Sequence, residues 1–452
     1  MLTLENLKKI AFPIHKNQYI SHEHIKGKWD NIQWLFNIYR NKNFKKGKNL
    51  VSVSYFLLME IDEVYSFARG KSLQNYQKNH IEKIKIYNRG INDIIKKSAR
   101  SDLDITVRVY CDFTTINILQ RFLKFPNVEL YYYFVPKFFD TTRLSHIGFF
   151  GTVMRYLPLF NLKNHNENDW ETVTISDIDT IFLTEYALLS YYVKNPKLPN
   201  IMFKNRACYY VSSRILAQDL PIPEISVISS FIIQRDTQDS KIFFDFLQNC
   251  LLDGCDIYKN AIGKYLPFNL KERPMQGRLE YGVDEYFMNV FFIPKCYLDK
   301  NLPIAEAFVA DKYFGVNSWL FIVMSDKDLK IKNPKLMEEF LYFVAKLFFP
   351  VGYKFPKYKD VKELINIVGD KFYNDQIYRI QFPIEKYEAV ENFVKKHDPE
   401  ELNMDPRIMS CFKRGKERYP DSTVIKIVYP DPKYPKFIEK TVDIIPHKNK
   451  HD

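Results

Sequence analysis

Three groups of residues, far apart in the chain, have the types and spacing for chemistry. The first is the pair Asp177 and Asp179 in Val173-Thr174-Ile175-Ser176-Asp177-Ile178-Asp179-Thr180-Ile181-Phe182-Leu183. If 173–176 is a buried strand, its alternation sends both carboxylates the same way as the chain leaves the sheet. Open α/β sheets bind ligands just outside the carboxyl ends of their strands, and two convergent hard oxygen ligands suit a divalent metal carrying a phosphate. The same spacing also suits turn and helix-cap residues. The second group is Gly148-Phe149-Phe150-Gly151-Thr152-Val153-Met154-Arg155-Tyr156-Leu157-Pro158-Leu159. A helix over 152–157, ended by Pro158, puts Thr152 and Arg155 on neighbouring turns of one face. Arg155 is then a planar cation suited to grip a diphosphate, or else a surface or structural ion-pair arginine. The third is Tyr281-Gly282-Val283-Asp284-Glu285-Tyr286-Phe287-Met288-Asn289, where Gly282 gives a turn and Asp284 begins a helix through Phe292. That helix would aim Asp284 or Glu285 at a cleft while Phe287 and Met288 pack. Acids in a first turn also simply answer the helix dipole.

The elements that must position these residues follow from periodicity. Short runs of β-formers at 51–58, 105–110 and 128–134 predict strands, separated by a long helix ending at Ala99 and by a helix over 113–123 that Asp112 is placed to cap. Strand, helix, strand, helix, strand at these lengths predicts parallel pairing with right-handed crossovers. Beyond the acid pair the patterns predict a helix at 186–193, a strand at 225–233 and a helix at 240–252. After Pro303, helical patterns at 335–348, 361–368 and 387–396 alternate with proline- and charge-rich connections. The expected class is therefore α/β, a Rossmann-like, mostly parallel sheet flanked by helices, with a mainly helical C-terminal addition. The expected division is a basic arm at 1–48, a core domain at 49–304 and a C-terminal region at 305–452. Within the arm, Trp34, Leu35, Ile38 and Tyr39 suggest one amphipathic helical face.

A chain of 452 residues, 46% hydrophobic and 27% charged, has the profile of a packed globular protein and not of a disordered one. The net charge is +12, and residues 1–50 hold ten Lys/Arg against three Asp/Glu. Such an arm suits an anionic membrane surface or an acidic partner, and dispersed lysines equally suit a plain solvated face. No nucleic-acid-binding motif accompanies the charge, so no specific nucleic-acid partner is expected. The six cysteines, at 111, 208, 250, 255, 296 and 411, form no CxxC pair and have no histidines at zinc-site spacing, which predicts reduced thiols. The first residues lack the order of a signal peptide, and no run approaches the ~20 apolar residues of a membrane span. The expectation is a soluble, cytoplasmic protein.

Taken in order, the Gly148–Leu159 segment, Ser176-Asp177-Ile178-Asp179 and Tyr281–Asn289 resemble glycosyltransferases of the GT-A fold, with the likeness spanning roughly residues 50–300. In that superfamily an arginine-bearing helix precedes a strand ending in Asp-x-Asp, and a later acidic motif lines the acceptor side. The resemblance implies that Asp177 and Asp179 hold Mn²⁺ or Mg²⁺ on a nucleotide diphosphate, Asp177 also reaching the ribose. It implies that Arg155, with Thr152 beside it, contacts a UDP- or GDP-sugar. Asp284 or Glu285 would orient or deprotonate an acceptor hydroxyl of a glycan, protein or lipid. The chain departs from the pattern in one respect: many members carry a late histidine on the metal, and residues 300–320 contain none. Two alternatives stand beside this reading. A haloacid-dehalogenase-like phosphatase also has Asp-x-Asp at a strand end, but there the motif normally opens the domain, whereas here it sits mid-chain. A degenerate, non-catalytic GT-A domain that binds a partner would fit the missing histidine.

Overall fold

The computed structural model describes residues 20–58, 80–140, 145–161, 169–178, 184–206, 231–248, 283–298, 300–309, 331–374, 384–397, 422–430 and 437–446. The chain divides into two units, one built from Met1–Asn205, Val211–Ala307 and Lys426–Thr441, the other from Arg206–Tyr210, Phe308–Ile425 and Val442–Asp452.

The first unit is organised on a mixed sheet. Its strands are β1 (Ile20–Trp29), β2 (Ile32–Asn41), β3 (Asn49–Tyr55), β4 (Ile105–Cys111), β5 (Val128–Phe134), β6 (Thr172–Ser176), β7 (Ile201–Arg206, in this unit to Asn205), β8 (Phe231–Gln234) and β9 (Ile304–Val309, in this unit to Ala307). They lie in the order β1-β2-β5-β4-β3-β6-β8-β7-β9, and the sheet ends on the strands that contribute Lys426–Thr441 to this unit. The middle of the sheet, β5-β4-β3-β6, is all parallel, so these four strands present their carboxyl ends along one edge. β2 and β8 join this block antiparallel on either side. Every residue of β3 and of β4 is buried, as expected for parallel strands covered on both faces, which read as near-continuous apolar runs. The crossover from β3 to β4 carries α1 (Ile81–Ala99), whose Ile91, Ile94 and Ile95 are buried. The expected Rossmann-like α/β architecture is present, with antiparallel strands added outside its parallel centre.

Three local expectations are corrected. The helical face across Trp34, Leu35, Ile38 and Tyr39 is instead part of β2, which pairs with β1 in a ten-residue antiparallel hairpin. The decisive pattern is the alternation Trp34, Phe36, Ile38, all buried in the main core, where Trp29, Trp34 and Phe36 pack ring to ring. Period two wins over period 3.6 because β-branched and aromatic residues on one strand face bury better against a sheet than on an isolated helix. Asp112 does not cap a helix over 113–123. Its Oδ1 accepts from Thr114 N at 3.0 Å and from the Thr114 hydroxyl at 2.5 Å, and α2 begins only at Ile116 and passes into a 3₁₀ turn after Leu119. The helix with Thr152, α3, runs Phe150–Met154, earlier than expected at both ends.

The second unit contains α7 (Pro334–Phe348), α8 (Val361–Asn374) and α9 (Ile384–Lys396), numbered after α4 (Thr184–Lys194), α5 (Ser240–Asp245) and α6 (Val283–Tyr286) of the first unit. Leu336, Phe340, Leu341, Val344, Leu364 and Val368 form its core at helical spacing. Asn333 caps α7 by accepting from Leu336 N at 3.1 Å, and Pro334 fills the first helical position, whose N–H would be unused. No helix among the described residues is long and apolar enough to cross a membrane.

The buried aromatics of the hairpin make it part of the fold and not a loose arm. Trp34→Ala is expected to cost about 3–5 kcal/mol of unfolding free energy, as for other buried large-to-small changes. Chemical denaturation would measure it, and a loss below ~1 kcal/mol would mean that the hairpin does not share the core.

Candidate functional site

The site forms where three segments meet at the carboxyl edge of the parallel strands. β6 ends at Ser176, and Asp177 is the next residue. Arg155 follows α3 directly, in a helical backbone conformation that caps it. Its carbonyl accepts a hydrogen bond from Ser52 Oγ of β3 at 2.7 Å, which fixes the end of α3 to the centre of the sheet. Ser52 pairs in register with Ile175 of β6, so the anchor of Arg155 and the strand that delivers Asp177 are neighbours. Asp284 lies on α6, which continues into π-helical turns over Phe287–Phe292. Phe287 and Met288 are fully buried, as the helical spacing predicts.

The guanidinium of Arg155 is the hub. Nη1 donates to Asp177 Oδ1 and to the Ser176 carbonyl at 3.3 Å, and Nη2 donates to Asp284 Oδ2 at 2.8 Å. The side chains of Arg155, Asp177 and Asp284 are 6%, 30% and 10% exposed, so the arginine and Asp284 are buried while Asp177 opens toward solvent. Burial by itself would pull the arginine pKa down. Asp177 and Asp284 outweigh it, so the guanidinium is held even more firmly protonated than usual. Tyr156 is fully buried beside Arg155, and burial raises its phenol far above the ordinary range, so it is neutral. One guanidinium between two carboxylates has a formal charge of −1, and a half-open acid at its rim suits a cation.

The sequence-predicted residues fall into three classes. Arg155, Asp177 and Asp284, 22 and 129 residues apart along the chain, are in direct contact. Thr152 lies on α3, but its hydroxyl donates to the Phe149 carbonyl at 2.7 Å, and it is not among the side chains that meet. Glu285 lies on α6 next to Asp284, its side chain outside the described residues, and Asp179 lies outside them altogether. Ser52 and Tyr156 are the residues that sequence reasoning missed. Ser52 had a signal: a hydroxyl in the middle of a fully buried strand must find a partner. A second polar pair lies on the same sheet edge, where His146 Nε2 accepts from Val135 N at 3.1 Å and Nδ1 stands 3.7 Å from Asp112 Oδ2. Among the described residues, no three His, Cys, Asp or Glu side chains form a metal-sized group.

Removing the cation while keeping both acids should be severe. Arg155→Met is expected to cost about 3–5 kcal/mol of stability, because Asp284 is left buried without its partner. Adding Asp284→Asn should recover part of it, with a coupling of ~0.5–3 kcal/mol in a denaturation double-mutant cycle. Additive losses would mean that the contact carries no energy.

No family model and no curated protein matches the chain. Among solved structures, residues 1–349 of TarS from S. aureus align over 86% of this chain and 99% of that one, at 11% identity and a TM-score of 0.26, a likeness too low to bear on fold or function.

Proposed function

We propose that this chain is a glycosyltransferase that moves a sugar from a UDP- or GDP-sugar to an acceptor hydroxyl, with Mn²⁺ or Mg²⁺ held by Asp177 and Asp179. The observation that carries this reading is the meeting of Arg155, Asp177 and Asp284 at the carboxyl ends of parallel strands, where α/β sheets bind ligands. Asp177 fits a hard divalent ion. Its Oδ1 faces Arg155, while Oδ2 has no hydrogen bond among the described residues and the side chain is part-exposed.

Each residue then has a distinct task. The bond between the anomeric carbon and the diphosphate oxygen breaks, a bond from that carbon to the acceptor oxygen forms, and the hydroxyl proton passes to a carboxylate. When bound, a divalent ion supplies positive charge to the leaving diphosphate. Arg155 supplies more by exchanging one of its two carboxylates for a phosphate oxygen, and its burial makes that charge count for more than it would in water. Asp284 or Glu285 takes the acceptor proton, Asp284 being held in place by Nη2 of Arg155. Whether the anomeric configuration is kept or inverted follows from where the acceptor oxygen sits.

Hydrolysis of a panel of nucleotide-sugars, read as released nucleoside diphosphate with Mn²⁺, with Mg²⁺ and with chelator, tests the reading without an acceptor. The expected result is release from one donor that chelator abolishes and that Asp177→Asn lowers by at least about 100-fold, the scale of losing one electrostatic group at a reacting centre. No release from any donor, together with no thermal shift from UDP or GDP plus Mn²⁺, would overturn it.

A further inference from the structure

The β1–β2 hairpin holds a polar cluster that the site above does not use. His22 and His24 stand two residues apart on β1, so their side chains leave the same face of the strand. The register sets His24 opposite Asn37 and His22 opposite Tyr39. His22 Nε2 lies 3.1 Å, and His24 Nδ1 2.7 Å, from one atom, Oδ1 of Asn37. Asn37 is 3% exposed, so this oxygen is a fixed floor, while both histidines are exposed and reachable. The His22 ring also stacks on Tyr39, with centroids 4.8 Å apart and planes at 13°, which restrains its orientation.

Two imidazole nitrogens that both approach one amide oxygen bring together the donor types that suit a borderline divalent transition ion. With ligands at ~2.0–2.1 Å around a tetrahedral ion, neighbouring donors are roughly 3.3 Å apart. The two observed nitrogen–oxygen separations, 3.1 and 2.7 Å, fall short of that by a few tenths of an ångström, an opening that follows from trading two N–H···O contacts for metal bonds. We propose that His22, His24 and Asn37 form a binding site for Zn²⁺, Ni²⁺ or Cu²⁺, completed by water on the exposed side. The ion would cross-link an edge strand to its neighbour. The third protein donor is a neutral amide, so the site is reversible and distinct from the closed, four-ligand structural zinc sites.

Calorimetric titration of the full chain with Ni²⁺, in an Asp177→Asn background that disables the acid pair, tests the site against its His22→Ala/His24→Ala variant. The visible absorption of bound Cu²⁺ provides a second readout. Because both histidines are exposed on an edge strand, the variant is expected to keep the parent's far-ultraviolet dichroism without metal. The expected result is one fewer saturable Ni²⁺ per chain in the variant, with loss of the imidazole–Cu²⁺ band and of the metal-induced rise in Tm. Equal stoichiometry and affinity in parent and variant, or a folded parent that binds no Ni²⁺ saturably, would overturn the proposal.

Discussion

A guanidinium buried at 6% exposure must be answered by negative charge, and the first unit is arranged to answer it. A cation taken out of water loses several kcal/mol of solvation, and only close, hydrogen-bonded anions return it. Arg155 receives two carboxylates and a backbone carbonyl, from segments that are remote in sequence. The contact therefore ties the end of β6 and the start of α6 to one point. Arginine suits this junction better than lysine, because its planar fork presents two donor edges in fixed directions, whereas an ammonium would have to choose.

The sheet determines where that point lies. The parallel strands β5, β4, β3 and β6 end along one edge, and the residue after β6 is Asp177. Ser52 Oγ, in the interior of β3, holds the carbonyl of Arg155 itself, so the cation is anchored by its backbone as well as by its charge. Antiparallel strands on both sides of this block lengthen the sheet. On the β5 side the addition is the β1–β2 hairpin, whose aromatic face closes the core beneath the sheet.

Elements with strong periodicity were legible in the sequence. The strands β3, β4 and β5 and the helices α7 and α8 follow from apolar runs and spacing alone. The resemblance implied Arg155, Asp177 and Asp284 or Glu285 about one site, and Arg155, Asp177 and Asp284 are in contact. What the sequence hid has physical causes. In β2 the residues Trp34, Leu35, Ile38 and Tyr39 satisfy a helical pattern as well as Trp34, Phe36 and Ile38 satisfy a strand, and only the pairing with β1 and β5 decides between them. Asp112 sits where a cap belongs, but a nearer donor on Thr114 takes its carboxylate. For Arg155 the sequence left two roles open, a cation for a phosphate or an ion-pair arginine, and the structure has it engaged with two acids.

Gly151 extends this picture from chemistry to lineage. A Cβ at this position of α3 would meet the ring of Phe56, 2.6 Å from its Cγ, and the hydroxyl of Tyr133 at 2.7 Å, so the helix packs on these two side chains with no room for a further atom. Four residues later, as the cap of this helix, stands Arg155. A descendant of this sequence could keep the arginine and both acids, letter for letter, and still lose their alignment through one added methyl group at 151. Such a chain would pass inspection by motif and fail by geometry, so inheritance of the site has to be traced through a glycine that takes no part in its chemistry.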